Sequence, residues 1–438
     1  MFNSDKPLFS RPVLAAIMLL CTLSIWLLNL IATNNTLPTP TIERWTTTSG
    51  IPVIWLKQEE WENTDKVELR FSFHSATTNT ALIQTTLAML MSDSLPLSTA
   101  SINQRLAPLA ASANSYYDHE SQTIGLTLSN ETRYLLPTLS LVTNWLSNPD
   151  FKRRTFDNWQ SQRTQNPPIQ HELENVLFFD KNNKQISSNS VPVSLEQVID
   201  YYQRLKSSAT AIYIIGELPT EAKNTLQAAL NKISQEYQIA TSPNESIYSE
   251  PLSTIIKQNE GTLWQTRSAI ALMPVTDIKE WISLQIWGAD LVATLNKQTH
   301  IDFVQLALTL SPQHPWAWWS IQYGNSVASP DATTNRPADQ MIYPKSLAFS
   351  EQVPSANNKK MFQTLLDSFK SQLEQQTLSP TWWSQIATQV THENGALNLE
   401  KFANGYQEAV DSFTVEEYQA ALTRLLRPSS YQEIQVYQ

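Results

Sequence analysis

Alternation and helical spacing of apolar positions divide this chain into short strands and medium-length helices. Residues 51–57 (IPVIWLK) and 67–73 (VELRFSF) predict two strands, the second with apolar and polar positions alternating. Residues 78–95 set Leu82, Ile83, Leu87, Leu90 and Met91 at helical spacing, which predicts a helix with one buried face. A second helix, about 98–111, is interrupted by Pro108. Residues 112–118 and 121–129 predict a strand pair, and 131–148 carry a helical stripe through Leu135, Leu139, Leu141, Val142, Trp145 and Leu146. Ser194 followed by Gln197 has the form of a capping box opening a helix to about 206. A strand at 210–216 and a helix near 220–234 follow.

The polar, proline-marked stretch 236–252 reads as a linker. Beyond it the same order returns. Strands are predicted at 253–259 and 264–273, a long helix at 278–297, strands at 302–311 and 315–323, and helices at 356–375, 380–391 and 414–427. Thr414 and Glu417 form another capping box, and 431–437 is a last strand. The pattern predicts an α+β protein of two similar lobes, 43–235 and 253–438, each a mostly antiparallel sheet packed with helices. Trp316, Trp318 and Trp319 fall in a strand, where core packing and an interface hot spot are both open readings.

Residues 12–32 carry no charge and are long enough to cross a bilayer as a helix. No small-x-small cleavage site follows, so the stretch reads as an uncleaved transmembrane anchor. Lys6 and Arg11 place the tail 1–11 in the cytoplasm, and 33–42 reads as a spacer. This predicts an inner-membrane, single-pass protein with its C-terminal bulk in the periplasm.

Composition narrows the chemistry. A net charge of -10 without a basic stripe argues against nucleic acid. With 8 glycines and no glycine-rich phosphate loop, nucleotide binding is not expected. The single cysteine, Cys21, lies inside the apolar stretch, which rules out an internal disulfide and a cysteine nucleophile in the globular part. No two of the histidines (His74, His119, His171, His300, His314, His392) are within a helical turn of one another. His119-Glu120 and His171-Glu172 are the nearest approaches to donor clusters, and they read as chance neighbours.

Four segments in order, TTTSGIPVIWLKQ, VELRFSFHSATTNTALIQTTLAMLMSDSL, LAASANSYYDHESQTIGLTLS and WLSNPDFKRRTFDNWQSQR, resemble successive parts of the pitrilysin/insulinase family of zinc peptidases. The resemblance runs from about residue 43 to the C-terminus and implies two α+β lobes around a substrate chamber. In active members a helix carries His-x-x-Glu-His, two imidazoles holding zinc and a glutamate acting as general base. Here Gln84, Leu87 and Ala88 stand at those places, and the stretch matching the third-ligand helix, TFDNWQSQRTQN, has no glutamate. Its one acid, Asp157, falls too early. The second lobe also departs from the family's glycine-rich turn, reading WGADLVATLNKQ, and offers no arginine at the family's substrate-touching position. The resemblance therefore implies a pseudoenzyme, with zinc binding not expected and no cofactor.

The family also implies a peptide-binding edge strand, matched here by Ser112, Ala113, Asn114, Ser115 and Tyr116. The partner it implies is a zinc-motif-bearing paralogue, with this chain as the membrane-anchored, non-catalytic half of a heterodimer. A stand-alone periplasmic scaffold or peptide-binding protein is the alternative. An active zinc metallopeptidase lacks the residues it needs.

Overall fold

In the 66–74 strand every second side chain, Val67, Leu69, Phe71 and Phe73, is buried against helices, while Glu68, Arg70 and Ser72 point to the opposite face. That period-two split organises the first lobe. A computed structural model describes residues 37–62, 64–75, 77, 79–162, 169–178, 193–240, 254–259, 265–299, 301–324, 359–390 and 395–437. The expected anchor at 12–32 and most of the expected linker lie outside these residues. Among the described residues no helix is long and apolar enough to cross a membrane.

In chain order the first lobe comprises β1 (Thr41–Thr46), β2 (Pro52–Lys57), β3 (Lys66–His74), α1 (Thr80–Met91), α2 (Ile102–Leu106), β4 (Ser112–Tyr117), β5 (Ser121–Ser129), α3 (Thr132–Ser147), α4 (Arg153–Gln162), α5 (Ile169–Phe178), α6 (Leu195–Lys206), β6 (Ala209–Ile215) and α7 (Thr220–Ile233). The second comprises β7 (Thr254–Asn259), β8 (Gln265–Ala271), α8 (Ile278–Leu295), β9 (Ile301–Thr309), β10 (Trp316–Tyr323), α9 (Lys359–Gln376), α10 (Pro380–Gln389), α11 (Leu399–Asp411), α12 (Val415–Leu425) and β11 (Gln432–Tyr437).

The sheets run β1-β2-β6-β3-β5-β4 and β7-β11-β8-β10-β9. Apart from β1, the two orders are the same. β6 slots between β2 and β3 as β11 does between β7 and β8, each parallel to the earlier strand and antiparallel to the later. The intervening helices supply the long return a parallel neighbour needs. The repeat read from the sequence is therefore a repeat of topology. Both expected capping boxes form, at Ser194 with Gln197 and at Thr414 with Glu417.

Two boundaries differ from expectation. Thr41 and Ile42, placed in the spacer, pair with Lys57 and Leu56 in β1–β2, because their extended backbone completes a sheet edge. Residues 236–240, placed in the linker, are tied to the first lobe. There Gln238 donates its N–H to Lys206 O and accepts that of Ala209, while Ala240 donates its N–H to Ala209 O.

The lobes lend helices to one another. α5 belongs to the first lobe by sequence, yet its Leu173 and Leu177 pack with Trp316, Trp318, Ile434 and Val436 of the second sheet. In the opposite sense α10 lies across β3 and β6. Trp319 points to the other side of β10, edge-on to Trp287 with ring centroids 6.1 Å apart. The tryptophans of β10 are thus core on both faces. Burying side chains of this size stabilises by roughly 2–3 kcal/mol each, so the inter-lobe packing is a core and not a loose contact.

Candidate functional site

The helix expected to carry chemistry is α1. Asn79 caps it, its side chain accepting from Leu82 N–H at 3.1 Å. Leu82, Ile83, Thr86, Leu87 and Leu90 face the core, while Thr80, Gln84, Ala88 and Met91 are half-buried along the other side. Gln84 and Ala88 therefore share a face one turn apart, as a pair of metal ligands would. The side chains there are an amide and a methyl group. Leu87 is 2% exposed and belongs to the core.

α4 lies beside α1, joined by Trp159 Nε1 to Thr85 Oγ1 at 3.3 Å. Its Phe156 is buried, and Asp157 turns outward to pair with Arg153 at 3.0 Å. These side chains provide no general base and no ligand set for zinc.

β4 is an edge strand, bonded in its sheet to β5 alone. The Asn103 amide closes on Ala113, accepting its N–H at 2.7 Å and donating to its C=O at 2.9 Å. Since Ala113 spends both backbone groups on Asn103, alternation turns those of Ser115 outward as well, away from β5. Ser112, Asn114 and Tyr116 pair with β5, and their side chains share the face that looks toward the second lobe. Of the five residues expected to take a peptide, Ser115 thus offers the open edge, and Ala113 is already occupied.

On that face lies a polar cluster that sequence reasoning missed. Arg70 reaches Glu68 at 2.8 Å, Asn114 Oδ1 at 3.1 Å and Ser384 Oγ of α10 at 3.4 Å. Thr127 and Thr381 donate to the other Glu68 oxygen at 2.9 and 3.2 Å. Gly125 makes this possible. A Cβ there would sit 1.7 Å from Arg70 Nη1 and 2.3 Å from Asn114 Oδ1. A glycine in the middle of the strand SQTIGLTLS was the one signal available. Arg70, Asn114, Tyr116, Thr381 and Ser384 line a cavity of about 530 Å³ between the lobes.

At the end of this cavity the β4–β5 turn meets the β9–β10 turn. Asp118 holds the first turn by accepting from Glu120 N–H at 2.8 Å and Ser121 N–H at 2.6 Å. Burial nevertheless pushes its carboxyl up to about 6. Glu120 accepts the backbone N–H of Gln313 and of His314, the latter at 3.0 Å. Burial works to raise Glu120, but the His314 bonds outweigh it and hold the carboxyl below its ordinary range. His119 and His171 both bond Glu174 of α5 through Nδ1, at 3.0 and 3.1 Å. Burial opposes the charged form of His119, while Glu174 and the neighbouring acids overcome it and raise the imidazole. His119, Glu120 and His314, read apart in the sequence, are brought together here.

No protein-family model and no curated protein matches this sequence. Solved structures do. A peptidase M16 inactive domain from Pseudomonas fluorescens superposes over 90% of this chain and 98% of its own, at 16% identity and a TM-score of 0.65. The fold is M16, insulinase-like. A protease from Helicobacter pylori matches this M16-like chain over 91% of its length and 100% of the other, at 10% identity and a TM-score of 0.62. The periplasmic protease PqqL from Escherichia coli matches over 92% of this chain and 46% of the other, at 12% identity and a TM-score of 0.59.

Proposed function

We propose that this M16-like chain is a non-catalytic subunit that pairs with a zinc-motif-bearing chain of the same fold and helps form its substrate chamber. In this reading residues 12–32 anchor it in the inner membrane and the bulk faces the periplasm. The observation that carries the proposal is α1: Gln84 and Ala88 share the ligand face, and Leu87 is buried in the core. Imidazole nitrogens and a carboxylate are what zinc hydrolysis requires, and an amide, a methyl and an isobutyl group supply none of them. One structural neighbour is itself an inactive M16 domain. Another, PqqL, is covered over 46% of its length, so that protein carries about as much chain again. A separate partner chain would supply the corresponding half here. The open backbone of Ser115 on β4 gives the pair a place to add a peptide as an extra strand.

A scaffold reading has its own support. α5 and α10 already cover the facing sheets, and the space left between them, about 530 Å³, suits a small ligand better than a folded substrate. The two readings part in a mild-detergent purification of the full-length chain, with co-purifying proteins identified and their ratio measured. A near-equimolar partner carrying His-x-x-Glu-His is the expected result. A chain that emerges alone, or with unrelated membrane proteins, overturns the pairing and leaves the scaffold.

A further inference from the structure

The turns that meet at the end of the cavity bring together donors that the sequence holds far apart. His119 and Glu120 come from the β4–β5 turn of the first lobe, and His314 from the β9–β10 turn of the second, 194 positions from Glu120. Each of the three offers one ligand atom, and those atoms all lie within 4.8 Å of one another. The His119 and Glu120 side chains are 3% and 9% exposed, and that of His314 is 25% exposed.

We propose that His119, Glu120 and His314 form a divalent transition-metal site, best suited to zinc, that clasps the two lobes together. The donor set is two imidazoles and one carboxylate, which favours zinc over the hard cations magnesium and calcium. It leaves a fourth position for water. Glu174 takes Nδ1 of His119 at 3.0 Å, which presents Nε2 to the metal. A carboxylate behind a ligating histidine fixes its tautomer and raises its basicity. The His119 ring is held flat against Phe178, with centroids 4.0 Å apart, and meets His314 edge-on at 6.0 Å.

Charge points the same way. Asp118 and Glu174 are buried and Glu120 is half-buried beside them, and none of the three acids pairs with a lysine or arginine among the described residues. Among the described residues these carboxylates are faced by the imidazoles of His119, His171 and His314, and a bound dication would compensate them without those imidazoles being protonated. Tetrahedral ligands on zinc stand about 3.3 Å apart, given bonds of about 2.0–2.1 Å. From separations within 4.8 Å, a contraction of at most about 1.5 Å in the widest pair completes the site, and the partly exposed His314 is placed to make it. Because the ligands come from opposite lobes, metal binding holds the cavity's end shut.

This site is separate from α1, so the test separates the two. Full-length protein in mild detergent is stripped with a chelator, then titrated with ZnCl2 against a chromophoric competitor and, separately, with CoCl2 to read the visible spectrum. The expected result is one equivalent of tightly held metal with a nitrogen/oxygen-ligated cobalt spectrum, unchanged in Gln84→Ala. His314→Ala and Glu120→Gln should weaken binding by at least about 100-fold while the circular dichroism stays that of the wild type. Zinc should also slow proteolysis at the lobe junction in the wild type and not in His314→Ala. Should His314→Ala fail to fold, His314→Gln takes its place, and the wild-type cobalt spectrum alone still decides whether nitrogen ligands are present. Substoichiometric binding, or undiminished binding by a folded His314 variant, overturns the clasp. Binding lost in Gln84→Ala instead would move the metal to α1 and overturn the non-catalytic reading as well.

Discussion

Arg70→Met removes the only cation bonded to Glu68 among the described residues while keeping most of the side-chain volume. Glu68 is 4% exposed and Arg70 11% in their side chains, and the ion pair spans 2.8 Å. Truncating one partner of such a buried pair costs about 3–5 kcal/mol, because the remaining charge stays desolvated. Glu68 keeps two hydroxyl donors, Thr127 at 2.9 Å and Thr381 at 3.2 Å, which moves the expectation to the lower end, about 3 kcal/mol. Loss of the bonds to Asn114 and Ser384 adds to this, since Arg70 joins β4 and α10 to the central strand. The assay is urea unfolding followed by tryptophan fluorescence, with Glu68→Gln and the double variant beside it. The Glu68→Gln/Arg70→Met protein should be more stable than Arg70→Met alone, because the stranded charge is gone. An Arg70→Met midpoint within error of wild type would refute the reasoning. So would a double variant as weak as the sum of the singles.

Gly125→Ala should cost about 1–3 kcal/mol by driving Arg70 and Asn114 aside, and much less in an Arg70→Met background; equal costs in both backgrounds in the same urea assay would deny that Arg70 sets the glycine requirement. Asn103→Ala frees both backbone groups of Ala113, so hydrogen exchange at Ala113 should speed up by about tenfold or more, while unchanged protection would mean the edge is held by other means. Glu280 is raised by burial but lowered further by Arg424 and Thr276, so its carboxyl lies below its ordinary value of 4.5. A depressed folded value contributes stability that is complete above pH 4.5 and is lost as pH falls through the folded value, so Glu280→Gln should flatten the acid side of the stability–pH curve. Parallel acid limbs for the two proteins would rule that contribution out.

The sequence determined the elements whose signals are local. Alternation in 67–73, the stripe of 131–148, and the capping boxes at Ser194 and Thr414 each depend on neighbours a few residues away. The helix that sets Gln84 and Ala88 one turn apart on α1 and the strand at 112–117 were legible for the same reason, as spacing that one helix or one strand displays by itself. Three elements were not: β1, α5 and α11. β1 has no strand signal of its own, and its first two residues read as spacer until β2 lies beside them. α5, IQHELENVLF, has little to bury on its own lobe, and its apolar face is complementary to Trp316 and Trp318 of the other. The Arg70 cluster and the His119–Glu120–His314 group could be decided only by tertiary structure. Their members lie on different lobes, and nothing local records which turns will meet. Proximity between residues so far apart in sequence is set by how two sheets pack, through the helices they exchange.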